Sequence, residues 1–317
     1  MKLKTLDGHE LPAFYDVAHV LGTFDIDINV SKFVDESVNV YRIKKRNNEY
    51  REIYVPNFKL KSIQKWIQEK ILQYIEISES AHAFVKGKSI LTNAKEHIRK
   101  DRFWILRMDV SNFFESIEIS DVKKIFEHMG YGVEVASVLA SLCCQNGILR
   151  QGFSTSPTLT NIYMNEFDAI LKEFLNGFPE YKFVYTRYAD DIIVSGRYMR
   201  GHYYMIQDLK KYIRTNLKSL GLDINTKKTL IQKQSRKKIT GLYIENGKIF
   251  VSNNYIKKFK QEIYYCQKYG VIGHLSYENK ILASNFKGYM LGKCAFLKMI
   301  DTNLGNELYQ QVERLDW

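Results

Sequence analysis

The chain has 317 residues, of which 45% are hydrophobic, so it can bury the core of one large domain or two modest ones and is not a disordered protein. Lysine and arginine outnumber aspartate and glutamate by 47 to 35, and the net charge of +12 is typical of a protein with a polyanionic partner, nucleic acid being the leading candidate. A merely solvated basic surface is the alternative, and charge alone does not decide between the two. Four cysteines without a C-x-x-C pair, and the lack of any apolar run near the roughly 20 residues of a membrane span, predict buried reduced thiols, no zinc site and a cytoplasmic protein without a membrane partner.

The N-terminal part of the chain begins with a predicted hairpin and helix. Residues 41–55 alternate charged with β-branched or aromatic side chains around Asn47 and Asn48, which predicts two antiparallel strands and a turn, and Pro56 ends the second strand. Residues 60–77 repeat apolar side chains at helical spacing, so we expect one amphipathic helix there.

The central part of the chain carries acidic residues at predicted strand ends. Residues 103–110 form a short apolar run that predicts a buried strand presenting Asp109 at its end. Residues 121–144 and 159–175 have helical patterns, the second of them directly after Pro157. Two β-rich segments, 181–188 and 192–195, flank two further aspartates, which predicts a hairpin with both carboxylates at its turn.

The C-terminal part changes from mixed to helical character. A helix is predicted over about 201–220, a strand over 222–225 and further strands over 239–244 and 248–251, which completes an α+β core. From about residue 254 the pattern is helical and basic. The predicted domains are therefore residues 1–250 and residues 251–317.

Three aspartates form the constellation that carries chemistry. Adjacent side chains of a strand point to opposite faces, so a turn that presents both Asp190 and Asp191 is costly unless cations gather them. With Asp109 as a third ligand, two Mg²⁺ ions could lie roughly 4 Å apart, activate a 3′-hydroxyl nucleophile and neutralise a leaving pyrophosphate. In isolation an Asp-Asp pair is more often a solvated turn, so the surrounding motifs decide.

The order of these motifs resembles that of reverse transcriptases. Over roughly residues 40–250 the matching segments are Asp109-Val110-Ser111-Asn112-Phe113-Phe114, Gln151-Gly152 with Ser156-Pro157, Tyr188-Ala189-Asp190-Asp191, Gly221-Leu222-Asp223-Ile224-Asn225 with Lys227-Lys228-Thr229, and Thr240-Gly241-Leu242. The resemblance implies an RNA-directed DNA polymerase with a two-metal mechanism. It also implies a right-hand polymerase fold, with fingers and palm of antiparallel sheet plus helices over 1–250 and a small helical thumb over 251–317.

The resemblance assigns roles to further residues. Phe114 matches the aromatic that excludes a 2′-hydroxyl and so selects deoxynucleoside triphosphates, although a core Phe beside Phe113 is the alternative. Gln151 and Gly152 would lie against the nucleotide, where glycine permits close backbone approach, with a helix-capping turn as the alternative for Gly152; the bulk of Phe153 leaves the pocket's shape open. The other assignments are Lys45 (or its neighbour Lys44) and Arg51 on the fingers hairpin, Lys227 or Lys228 beside the pyrophosphate, and Tyr188, Thr240 and Gly241 along the primer or template.

Within the family the chain resembles bacterial retron reverse transcriptases. Asn93 and His97 match the Asn-Ala-x-x-His element of those enzymes, and Ile239-Thr240-Gly241 resembles their Val-Thr-Gly element; a helix cap and a satisfied histidine are the alternatives for the first. The resemblance implies a structured noncoding RNA as template, 2′-hydroxyl priming, a branched RNA-DNA hybrid, and anti-phage defence with an effector protein. In the thumb, Lys257, Lys258 and Lys260 would contact nucleic acid, or form an ordinary solvated face.

Three other functions remain open at this stage. The chain could be another bacterial reverse transcriptase, of the abortive-infection, diversity-generating or intron-derived kind. It could also be a catalytically silent RNA-binding protein on this scaffold, although the three aspartates and Gln151 are intact. An RNA-dependent RNA polymerase is disfavoured by Phe114 and by Ala189 before the aspartate pair.

Overall fold

The computed structural model describes residues 3–4, 8–27, 29–44, 48, 50–277 and 285–317. The α-helices of this part are α1 (Val17–Thr23), α2 (Val30–Glu36), α3 (Phe58–Lys70), α4 (Ile90–Glu96), α5 (Ile119–His128), α6 (Val133–Cys143), α7 (Ser156–Tyr163), α8 (Asn165–Asn176), α9 (His202–Ser219), α10 (Asn253–Tyr269), α11 (Val271–Tyr277), α12 (Phe286–Ile300) and α13 (Thr302–Glu313). The strands are β1 (Leu3–Lys4), β2 (Glu10–Leu11), β3 (Val38–Lys44), β4 (Tyr50–Pro56), β5 (Phe103–Val110), β6 (Cys144–Gln145), β7 (Ile148–Leu149), β8 (Val184–Tyr188), β9 (Asp191–Arg197), β10 (Ile224–Gln232), β11 (Lys237–Ile239), β12 (Leu242–Glu245) and β13 (Lys248–Phe250).

The chain folds into two compact units, each made of two segments. The first unit comprises residues 1–87 and 105–231, and the second comprises residues 88–104 and 232–317. Both contain helices and strands, which confirms the predicted α+β class. The division proposed near residue 250 falls inside the second unit, so as a functional boundary between palm and thumb it stays a prediction.

A four-stranded sheet forms the centre of the first unit. Its strand order is β10-β5-β9-β8, and β8 and β9 form an antiparallel hairpin in which Tyr188 pairs with Asp191. Strand β5 is buried along nearly its whole length, as its apolar run predicts. The hairpin prediction for the two β-rich segments is confirmed. The first segment begins later than predicted, because Tyr181 belongs to a short 3₁₀ turn over Pro179–Tyr181.

The predicted fingers hairpin is also present. Strands β3 and β4 are antiparallel, with pairs running from Val38 with Pro56 to Lys44 with Tyr50. Helix α3 follows at once, because the Asn57 side chain caps it by accepting the backbone N–H of Leu60. The helix ends at Lys70, seven residues before the predicted end at residue 77. The apolar pattern continues beyond the helix because Ile71 and Leu72, where a 3₁₀ turn begins, are fully buried. The pattern therefore indicates which side chains are buried, and not how far the helix extends.

Two more predicted elements are divided in the structure by residues with positive φ. The helical pattern over 121–144 forms α5 and α6, which are separated by a turn containing Gly130 at φ +93°. The strand predicted over 239–244 forms β11 and β12, because Thr240 (φ +43°) and Gly241 (φ +91°) turn the chain between them. The strand predicted over 222–225 is longer than expected, and as β10 it includes both Lys227 and Lys228.

The structure also bears on the cysteines and on the hydropathy of the helices. All four cysteines are buried thiols rather than disulfides, and burial raises the pKa of Cys143 to about 12. No helix within the described ranges is both long and apolar enough to cross a membrane.

Candidate active site

The structure brings the three predicted metal-binding aspartates to one end of the central sheet. Asp109 is the penultimate residue of β5, Asp190 lies in the turn between β8 and β9, and Asp191 is the first residue of β9. The N–H of Val110 donates to the carbonyl of Asp190 at 2.9 Å, which ties the end of β5 to the turn. Ala189 closes that turn at φ +55°, a conformation that is uncommon for a residue with a side chain.

The environment of these carboxylates resists their simultaneous ionisation. Burial and, after it, the charges of Asp191 and Asp109 raise the pKa of Asp190 to about 6. Burial also raises the pKa of Asp191, against the opposing effect of the Arg107 guanidinium. Three negative charges concentrated at a partly buried strand end therefore require compensation by cations.

Two side-chain cations supply part of that compensation. Lys228 on β10 donates to both oxygens of Asp109, at 2.9 and 3.1 Å. Arg107 donates to both oxygens of Asp191, at 2.7 Å, in a bidentate pair. Sequence reasoning missed Arg107. It lies two residues before Asp109 on the same strand and hence on the same face, a spacing that could have drawn attention to it.

The donor set at this end of the sheet suits a hard divalent cation. The negatively charged groups that could bind a metal there are all carboxylate oxygens, the ligands that Mg²⁺ prefers. In the part of the chain that the structure describes, however, no three His, Cys, Asp or Glu side chains are already arranged as a metal group. Both oxygens of Asp109 accept hydrogen bonds from Lys228, and both oxygens of Asp191 accept them from Arg107.

Gln151 and Gly152 pack against the fingers hairpin. The N–H of Tyr54 on β4 donates to the Gln151 carbonyl at 2.9 Å, and Gly152 has φ +118°. A Cβ on Gly152 would lie 2.3 Å from the Tyr54 carbonyl oxygen, so only glycine fits. Arg150 completes the contact, with its guanidinium 4.4 Å from the centroid of the Tyr54 ring. The close approach made by Gly152 in this structure is thus to the backbone of β4.

Gly152→Ala is therefore expected to destabilise the first unit. Positive φ and the 2.3 Å contact must both be relieved by moving β4 or the Gln151 segment, at a cost of about 1–3 kcal/mol. The free energy of unfolding from urea titration measures this. Gly147→Ala is a suitable control, since it has φ +76° but no atom within 4 Å of an added Cβ. Equal losses for the two variants would contradict the role of the contact with Tyr54.

The other predicted nucleotide-pocket residues differ in burial. Phe113 is buried in the core (4% exposed), whereas Phe114 is half-buried, its ring lying 5.8 Å from that of Phe113. Phe153 is buried, at 2% exposure, so its bulk fills the core. Arg51 is exposed on β4. Lys45, predicted to bind the triphosphate, lies outside the described residues, while its neighbour Lys44 is the last residue of β3.

In the second unit the two retron-type elements meet. Asn93 and His97 belong to α4 and its end, and both are fully buried. The Asn93 side-chain amide donates to the Thr240 hydroxyl at 3.4 Å, joining residues that are 147 positions apart. The Asn93 side-chain oxygen is buried and accepts no hydrogen bond from the described residues. These two elements therefore form one structural feature.

The predicted thumb lysines lie on helix α10. Lys257 and Lys258 are exposed, and Lys260 forms an ion pair of 3.4 Å with Glu307 on α13. Tyr188, predicted to lie at the primer, is half-buried at the end of β8, where it pairs with Asp191 next to the turn. The first two lysines therefore have their charges open to solvent, and the third shares its charge.

Comparison with known proteins places this arrangement in a family. Residues 43–244 match the family model described as reverse transcriptase (RNA-dependent DNA polymerase). The retron Ec86 reverse transcriptase of Escherichia coli is 32% identical over 246 residues, which cover 76% of this chain and 74% of that protein. The retron Ec73 reverse transcriptase of Escherichia coli is 31% identical over 289 residues, covering 86% of this chain and 87% of that protein.

Solved structures agree at the level of the fold. Apo telomerase from Candida tropicalis superposes with a TM-score of 0.52 at 14% identity, over 86% of this chain and 57% of the telomerase chain. The predicted right-hand polymerase fold is thereby confirmed. From the motifs, their convergence at one end of the sheet and the retron relatives, we conclude that the chain belongs to the reverse transcriptase family and, within it, to the retron reverse transcriptases.

Proposed function

We propose that this chain is the RNA-directed DNA polymerase of a retron, which copies a structured noncoding RNA from a 2′-hydroxyl primer into a branched RNA-DNA hybrid. The observation that carries the proposal is the convergence of Asp109, Asp190 and Asp191 at one end of the central sheet, in a chain whose relatives are retron reverse transcriptases. The homology supports the polymerase activity. The template, the primer and the branched product belong to the proposal.

The three aspartates would hold two Mg²⁺ ions. Bound there, such ions lower the pKa of an attacking hydroxyl and neutralise charge on the leaving pyrophosphate. Asp190 is buried beside two other carboxylates, and a divalent cation bound there would relieve their repulsion. Arg107 fixes the orientation of Asp191 through its bidentate pair, which limits how far that carboxylate must reorganise.

Lys228 is the better candidate for the cation that assists pyrophosphate departure. Lys227 and Lys228 are neighbours on β10, so their side chains point to opposite faces of the sheet. Lys228 reaches Asp109 at 2.9 Å and therefore already lies at the carboxylates. A lysine there can stabilise developing negative charge or donate a proton to the leaving group.

The remaining pocket residues would select and position a deoxynucleoside triphosphate. Phe114 lies five residues beyond Asp109 and is half-buried, as a ring that blocks a 2′-hydroxyl must be. Gln151 would contact the nucleotide from a segment held by β4, the strand that carries Arg51. Lys45 and Arg51 would bind the triphosphate, and Tyr188 would abut the primer end.

The RNA would be recognised through the second unit. Asn93 and His97, which are buried, would support Thr240 and Gly241, and these two would contact RNA or the primer strand. Lys257, Lys258 and Lys260 would contact the hybrid backbone. An effector protein and a role in anti-phage defence complete the proposal. They follow from the likeness to retron enzymes alone.

Nucleic acid that copurifies with the protein tests the retron assignment. From bacteria carrying the native locus we expect one short DNA, joined through a 2′,5′ linkage to one defined RNA, because a 2′-hydroxyl primer leaves a branch. Sequencing before and after treatment with a debranching nuclease measures this, and Asp190→Asn with Asp191→Asn should yield the RNA without DNA. Linear or heterogeneous DNA would assign another kind of reverse transcriptase, and RNA alone from the unaltered protein would indicate a silent RNA-binding protein.

A further inference from the structure

Phe84 is an exposed aromatic residue in a strained backbone conformation. Its side chain is 54% exposed, and its φ is +60°, in the left-handed region that bulky residues rarely occupy. Neither property helps folding, because the ring buries little apolar surface and the backbone is strained. A residue of this kind persists only where surrounding contacts impose it, and such residues concentrate at functional sites.

The contacts that impose this conformation lie in the four residues before Phe84. The carbonyl of Ser80 accepts the N–H of Arg187 at 2.7 Å, and the N–H of His82 donates to the Arg187 carbonyl at 2.8 Å. The carbonyl of Ala83 accepts a hydrogen bond of 2.9 Å from the buried Asn161 side chain. Residues 80–82 thus pair in parallel with β8 at Arg187, near the turn that carries Asp190. At Phe84 the segment has moved away from β8.

The Phe84 ring faces Phe114. The two ring centroids are 6.5 Å apart and the rings are inclined at 60°, an edge-to-face arrangement. Phe113 contacts the same ring from its own position, with centroids 5.8 Å apart at 63°. Phe114 therefore contacts both the core ring of Phe113, which is 4% exposed, and the exposed ring of Phe84 on a separate segment of the chain.

We propose that Phe84 is a positioning residue that sets sugar selectivity by holding the Phe114 ring in place. The proposal rests on the proposed function, in which Phe114 blocks the 2′-hydroxyl of a ribonucleotide. A steric block discriminates only if it cannot turn aside, and the Phe114 ring has two aromatic neighbours, Phe113 and Phe84, that restrict its movement. Phe84 reaches the sugar's neighbourhood from a separate segment, anchored to β8.

The test compares the ratio of kcat/KM for a deoxynucleotide to that for the matching ribonucleotide in primer extension. Phe84→Ala should lower this ratio by about three- to tenfold, the size of an aromatic pair interaction, while kcat with deoxynucleotides changes less. Phe84→Tyr, which keeps the ring, should restore the ratio. Phe58→Ala is the matched control, since it removes another exposed ring (88% exposed) and should leave the ratio unchanged.

The double variant shows whether Phe84 acts through Phe114. If it does, Phe84→Ala added to Phe114→Ala lowers the ratio no further than Phe114→Ala alone, because coupled residues are not additive. The proposal is overturned if Phe84→Ala lowers kcat/KM equally for both sugars, as loss of a template contact or of folding would, or if its effect persists without the Phe114 ring. Failure of the proposed function is recognised separately, since the unaltered protein would then extend no primer.

Discussion

Replacing Asp190 and Asp191 together by Asn is expected to reduce extension of a DNA primer on an RNA template by about 1,000-fold or more. The reaction supplies Mg²⁺ and deoxynucleoside triphosphates, and the readout is product per unit time on a denaturing gel. Both changes remove the charge that would hold divalent cations at the end of the sheet. A 1,000-fold lower rate corresponds to a loss of about 4 kcal/mol of transition-state stabilisation.

This loss should not come from unfolding. Asn has the shape of Asp, and burial penalises the charged form of Asp190, so its neutral replacement relieves a cost in the metal-free protein. The melting temperature without Mg²⁺ should fall only slightly, since Asp191→Asn also removes the charge opposite Arg107. Its increase on adding Mg²⁺ should vanish in the variant. In the unaltered protein that increase should diminish as the pH falls through about 6, because protons compete with the cation for Asp190.

A matched control is available in the same unit. Asp208→Asn changes an exposed aspartate on α9 and should leave both extension and the Mg²⁺ effect unaltered. Extension by the double variant at a rate within about tenfold of the unaltered protein would refute the assignment of the catalytic carboxylates, whatever the metal does to stability.

The features that the sequence predicted well are local ones. Alternation of side chains predicted the β3–β4 hairpin, and an apolar run ending in Asp109 predicted β5, because each pattern reflects a period of the backbone. The turn that carries Asp190 and Asp191 was predicted because these aspartates are adjacent in sequence and lie between two recognisable strands.

What the sequence did not show depends on distant contacts or on backbone angles. Arg107 was overlooked because a lone arginine in an apolar run gains meaning only when Asp191, 84 residues later, is beside it. The turn at Thr240 and the strain at Phe84 follow from positive φ at residues that usually avoid it, so propensity favoured ordinary strand and loop. The pairing of Asn93 with Thr240 across 147 residues is equally invisible in a local pattern.

Arg187 links the core of the first unit to the turn between β8 and β9, where it donates to the carbonyl of Ala189 at 3.5 Å. It is fully buried, as is Asp168 on α8, to which it donates at 2.9 Å and 3.0 Å. Its third nitrogen donates to Asn161 at 3.0 Å, and Tyr185 donates to the same Asp168 carboxylate at 2.5 Å. Asp168 raises the pKa of Arg187 against the effect of burial, so the pair remains charged.

Arg187→Met is therefore expected to lower the free energy of unfolding at neutral pH by roughly 3–5 kcal/mol, since it leaves the Asp168 charge buried without its cation. Adding Asp168→Leu should recover much of the loss, because no uncompensated charge then remains. A carboxylate buried without its cation disfavours folding only while it is charged, so the deficit should be smaller at acidic pH and larger at neutral pH.

Urea unfolding of the two variants across pH 4–8 measures these differences. Lys172→Met is the control, because its ion pair with Glu79 on the surface should contribute little at any pH. A deficit below about 1 kcal/mol for Arg187→Met, or one independent of pH, would contradict the buried charge as its cause. Because the backbone of Arg187 holds Ser80 and His82, and Asn161 holds Ala83, a true deficit should also reduce sugar selectivity by loosening Phe84. Stability of the core and discrimination at the active site would then depend on the same buried ion pair.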